Sequence, residues 1–129
     1  MAAAVLLGAF GAHALKARLS PDALSIWQTA VDYHAWHALG LFGVGVLMAL
    51  DVRARFLGVA AWLFGAGIVL FCGSLYALAL GAPSGVGVVT PFGGVAFIAG
   101  WLALAVGVRG VAARPSRDDD VSRRARRSP

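Results

Sequence analysis

Charge is scarce in this chain: of its 129 residues only 13% are Asp, Glu, Lys or Arg, and glutamate is absent altogether. A soluble domain carries roughly 25% charged and 45–50% apolar residues. Here 60% are hydrophobic. Residues 56–80 and 86–108 contain no charged side chain at all. A water-soluble fold must cover its surface with polar groups, so runs of that length point to lipid as the solvent. Cysteine is almost missing too. The lone Cys72 lies inside an apolar run, which rules out an intrachain disulfide and reads as a small buried hydrophobe. Lysine occurs once against ten arginines, and with abundant Ala, Gly and Val this has the compositional bias of a GC-rich bacterial genome. Phosphate loops, nucleophile elbows, zincin motifs and heptad seams are likewise missing, so none of the enzyme classes they announce is indicated.

The net charge of +5 does not describe the apolar body, because seven of the eleven basic residues follow Val108. The basicity belongs to a tail at residues 109–129, whose apolar content is too low for a core and which is expected to be disordered. Its arginines have a use without a fold, gaining roughly 1 kcal/mol each near anionic lipid at the cytoplasmic surface, though they serve equally as a topology anchor. No nucleic-acid partner is indicated.

Four apolar segments stand out, at about 1–15, 34–50, 56–80 and 91–108. A helix needs about 20 apolar residues to cross roughly 30 Å of hydrocarbon. The segment at 56–80 exceeds that, while the first reaches Lys16 early, so that Lys16 and Arg18 would snorkel. Ala12-His13-Ala14 has the form of a signal-peptide cleavage site, but no positive region precedes it. Ser20, Pro21 and Asp22 supply a capping hydroxyl, a first-turn proline and a first-turn acid, and the spacing of Ala23, Leu24, Trp27, Ala30, Val31 and His34 is amphipathic. Thr90-Pro91 reads in the same way as an N-cap opening the last span. The expected fold class is all-α: an integral membrane four-helix bundle with an interfacial amphipathic helix between the first two spans. Small-residue pairs Gly8/Ala12, Ala61/Gly65, Ala96/Gly100 and Ala103/Gly107 are expected to let helices approach closely, within one chain or between copies.

The positive-inside rule places the basic tail and the loop at 51–55 in the cytoplasm, with both termini inside and the uncharged loop at 81–89 outside. On that topology the polar residues of the spans fall toward one side: His13, Tyr33, His34, His37, Ser74, Tyr76 and Thr90. Polar groups in lipid are costly unless paired or hydrated, so a shared outward-facing network is expected. His34 and His37 share a helical face, and His13 approaches from the neighbouring helix. Three histidines can ligate a metal or haem, but the plainer reading is hydrogen bonding between helices.

Four motifs in order also resemble a known family: Gly8-Ala9-Phe10-Gly11-Ala12-His13, Thr29-Ala30-Val31-Asp32-Tyr33-His34-Ala35-Trp36-His37-Ala38-Leu39, Gly73-Ser74-Leu75-Tyr76 and Thr90-Pro91-Phe92-Gly93-Gly94. They are similar to the YgdD-like family of small bacterial inner-membrane proteins, related to a small eukaryotic transmembrane protein. The resemblance implies four transmembrane helices and a plasma-membrane address, with no activity, cofactor or functional residue to carry over. Family members carry more chain before the first motif. The functional expectation is a multi-pass membrane component, structural or partner-binding and not an enzyme, in the bilayer as a homo-oligomer or with a membrane-protein partner. An oligomeric small-solute transporter or channel is the alternative, and a metal- or haem-binding membrane protein a further one.

Overall fold

The computed structural model describes residues 1–50 and 56–112, with side chains through Arg109. The loop at 51–55 and the tail from residue 113 onward, to which topology and disorder were assigned above, lie outside the described residues. The described residues form four helices and no strand: α1, Ala2–Leu15; α2, Pro21–Ala49; α3, Leu57–Ala79; and α4, Thr90–Ala112, which is entered through a 3-10 turn at Ser84–Val89.

Local chemistry explains the helix ends. Ser20 is extended, and its hydroxyl accepts the Ala23 N–H at 3.2 Å, with Pro21 at the first helical position. Gly81 ends α3 at a φ of 94°, where a side chain would be strained. The Ala82 N–H then returns to the Ala77 carbonyl at 2.9 Å and the Gly81 N–H to that of Leu78 at 3.0 Å, a Schellman closure. Thr90 does not cap α4 as its sequence predicts. It is already helical, at φ −53° and ψ −47°, because the 3-10 turn delivers the chain in helical register and the Thr90 N–H bonds the Gly87 carbonyl. Its hydroxyl is thereby free to reach another helix.

The outer surface shows which solvent the bundle is made for. Trp62 is 82% exposed, Val69 on the same helix and Leu6, Phe42, Phe92 and Ile98 on the others are exposed to a lesser degree, and the interior is correspondingly small. Exposure of this kind on every helix is unstable in water and normal in lipid. The 23 residues of α3 and the 26 of Ser84–Arg109 are long and apolar enough to cross a bilayer.

Ala30, Val44, Leu57, Ala60, Phe64, Cys72 and Phe97 form the main core, shared by α2, α3 and α4. Leu15, Trp27, Val31 and Ala79 form a second one where α1 joins α2 and α3. The amphipathic segment before the second span is continuous with it, and its apolar face is covered by α1. Close approach between α3 and α4 is made by rings on glycines: Phe97 lies over Gly67, Phe64 over Gly100, and the Phe71 backbone against Gly93. Gly65, one of the small residues expected to mediate packing, faces open space. Two π-helical segments interrupt the α geometry, at Gly11–Leu15 in α1 and Ile68–Cys72 in α3.

Candidate functional site

The polar residues singled out in the sequence sort into three separate helix-to-helix ties. In the first, α1, α2 and α3 meet at Trp27. Its indole N–H donates to the Leu7 carbonyl at 3.0 Å, while its ring packs against Tyr76 at a centroid distance of 4.7 Å. Leu7 also receives the Gly11 N–H, at the point where α1 passes into π geometry. The approach requires glycine: a Cβ on Gly11 would stand 2.5 Å from the Trp27 Nε1. On the other side of Tyr76, its hydroxyl meets His34 Nδ1 at 3.3 Å, joining α3 to α2.

The second tie is an aromatic stack at the centre of α2, α3 and α4. His37 Nδ1 lies 2.7 Å from the Tyr33 carbonyl. A carbonyl only accepts, so Nδ1 carries the proton and, in the neutral ring, Nε2 is an acceptor. The His37 ring stacks on Phe97 at 3.4 Å, and Tyr33 stacks on Phe71 at 4.6 Å. Phe64 and Trp101 close the group edge to face at 4.9 Å.

The third tie is a short hydroxyl relay between α3 and α4. Ser74 Oγ donates to the Phe71 carbonyl at 2.9 Å and lies 2.7 Å from Thr90 Oγ1. Serine has one proton to give, so the Thr90 hydroxyl donates to Ser74. Each member thus has a defined direction, ending on the backbone of the α3 π segment. Interhelical hydrogen bonds in membrane proteins contribute about 0.6–2 kcal/mol. A double-mutant cycle of Ser74→Ala and Thr90→Val is expected to show coupling of about 1 kcal/mol. Unfolding in detergent checks it, and additive single effects would show that the two hydroxyls are not paired.

His13 stands apart. It lies exposed in the π segment of α1, and no hydrogen bond among the described residues joins it to His34 or His37. No three His, Cys, Asp or Glu side chains among the described residues converge in a way that holds a metal ion. Asp32 pairs with Gln28 at 3.0 Å on its own helix. The packing residues that matter most, Gly11, Gly93, Phe97 and Trp101, were not singled out from the sequence as site residues. The first two sit inside the quoted motifs, which was the only signal available.

A bundle of apolar helices, lipid-facing on its outside and cross-tied by histidine, tyrosine, serine and tryptophan within, defines a small multi-helix integral membrane protein. Residues 7–94 match the family described as "Protein of unknown function (DUF423)". The chain is 48% identical over 103 residues to UPF0382 membrane protein YwdK of Bacillus subtilis, covering 80% of this chain and 84% of that one. It is 42% identical over 103 residues to UPF0382 inner membrane protein YgdD of Escherichia coli, covering 80% and 78%. A UPF0382 membrane protein of Haemophilus influenzae is 41% identical over 103 residues. The chain belongs to this family of membrane proteins. No solved structure matches it.

Proposed function

We propose that this protein is a non-catalytic component of the bacterial cytoplasmic membrane that acts by lateral association with protein in the same bilayer. All four helices are embedded, and both termini face the cytoplasm. The observation that carries this reading is the division of labour among its side chains. The interior polar groups are engaged with one another and with backbone carbonyls, as ties between helices, whereas large apolar side chains, Trp62 foremost, face outward. A surface of that kind offers shape and apolar contact to another helix. The inner-membrane address of the Escherichia coli relative supports the location, and the seven basic residues after Val108 support the orientation.

Cross-linking in native membranes followed by purification in mild detergent tests the reading. The expected result is a reproducible assembly, with a second copy or with another membrane protein. Recovery of the monomer alone, at every cross-linker length, overturns it.

A further inference from the structure

Hydrocarbon offers nothing to an unpaired hydrogen-bonding group. The described residues leave a donor and an acceptor without partners on two neighbouring rings where α2 meets α4. The acceptor is His37 Nε2. With Nδ1 committed to the Tyr33 carbonyl, Nε2 has no partner among the described residues, although His37 is only 6% exposed. No side-chain nitrogen or oxygen among the described residues is both sealed and unpartnered, so Nε2 is not fully closed off. The donor is the indole N–H of Trp101. Its ring centroid is 6.1 Å from that of His37, it is 45% exposed, and it makes no hydrogen bond among the described residues.

Depth makes the pair unusual. Exposed tryptophans belong at the membrane interface, where water or headgroups satisfy the N–H. At about 1.5 Å per residue, Trp101 lies about 12 Å along α4 from Arg109 and His37 about 18 Å along α2 from Ala49. In a slab of about 30 Å, both sit near the middle. The benzo edge of Trp101 rests on Gly40, with 3.3 Å to a Cβ built there, and one turn further along α2 Gly43 faces open space. The seam therefore carries a donor and an acceptor, with no side chain of its own over Gly43.

We propose that a second copy of this chain docks on the α2–α4 seam about a two-fold axis, each copy's Trp101 indole N–H donating to the other copy's His37 Nε2. The inference rests on the lateral association proposed above and names its partner. Lipid chains satisfy neither group, and a partner bringing only a donor or only an acceptor leaves one unpaired. A second copy brings both, and two-fold symmetry turns the mismatch into two identical hydrogen bonds.

The test uses the full chain, labelled and reconstituted in phosphatidylethanolamine–phosphatidylglycerol vesicles at graded protein-to-lipid ratios, with association read by energy transfer. Trp101→Phe keeps a ring over Gly40 and removes both intersubunit bonds, and is expected to weaken dimerisation about tenfold, whereas Phe64→Leu, which loosens the same ring packing inside the monomer, is expected to lower thermal unfolding and leave dimerisation within about twofold. In a Cys72→Ala background, Ile98→Cys beside the seam is expected to cross-link between copies, and Val69→Cys on the exposed side of α3 is not. A protein that is monomeric in the bilayer but captures another membrane protein overturns the dimer and leaves the lateral-association reading standing. Dimers indifferent to Trp101→Phe, or linked through Val69→Cys, overturn the seam. A monomer without any partner overturns both.

Discussion

Gly93→Ala is expected to destabilise the bundle by about 3 kcal/mol, at the upper end of what overpacking a helix contact costs. The magnitude follows from what the added methyl would meet. A Cβ on Gly93 would stand 2.7 Å from Phe71 Cβ and 2.8 Å from its Cα, with the Phe71 backbone nitrogen closer still. A side chain can rotate away from an intruding atom, but a helix backbone moves only if the helix moves. The nearby Ser74–Thr90 hydrogen bond spans the same two helices, so separation strains it as well. Unfolding by sodium dodecyl sulfate titration, followed by circular dichroism, measures the loss. Two controls isolate the cause. Gly65→Ala, where nothing lies within 4 Å, is expected to be neutral or stabilising by up to about 1 kcal/mol, since alanine is the better helix former. Phe71→Ala added to Gly93→Ala is expected to bring no rescue, because the obstruction is main chain. Rescue would mean that the ring, and not the backbone, sets the α3–α4 distance. Gly67→Ala and Gly100→Ala should cost less, because there the neighbours are the rings of Phe97 and Phe64.

The same contrast explains how much of this structure was legible in the sequence. Runs free of charge at 56–80 and 86–108 are sufficient to require α3 and α4, since only a helix satisfies its own backbone in lipid. Ser20-Pro21-Asp22 was legible because capping is local chemistry, whereas Thr90-Pro91 misled because the 3-10 turn before it supplied the helical register that a cap would otherwise provide. Helix contacts were poorly legible. In a chain with 17 glycines, small-residue spacing does not tell Gly65, which faces nothing, from Gly67, which lies beneath Phe97. The sequence grouped the polar residues as one outward-facing network, without saying which of them meet. Which pairs form depended on helix rotation, and this placed Tyr76 on His34, Ser74 on Thr90, His37 on the Tyr33 carbonyl, and His13 outside all three ties. The resemblance carried by the four motifs was legible at once, because short exact strings such as Gly73-Ser74-Leu75-Tyr76 survive without any knowledge of geometry.

Where α1 meets α2 and α3, Trp27→Ala is expected to cost about 3–5 kcal/mol, the range for deleting a large buried aromatic. Trp27 is 2% exposed and sits among Phe10, Leu15, Val31, Tyr76 and Ala79, so that its removal opens a void shared by three helices. Trp27→Phe separates the two contributions. It keeps an aromatic ring but deprives the Leu7 carbonyl of the indole donor, and is expected to cost about 1 kcal/mol. Gly11→Ala should approach the alanine variant in severity although it deletes nothing, because its methyl would displace the Trp27 pyrrole edge from 2.5 Å and break the same bond. The three variants converge on the seating of α1, while α3 and α4 keep their own ring-on-glycine contacts. Ala4→Cys reports that difference: Ala4 is 1% exposed, and its thiol should become reactive in detergent when Trp27 or Gly11 is changed and stay protected in Gly93→Ala. Equal reactivity in both backgrounds would show that the bundle opens as one unit. Unequal reactivity would make α1 a separately seated helix, held by a tryptophan, a carbonyl at the edge of a π segment and a glycine that leaves room for both.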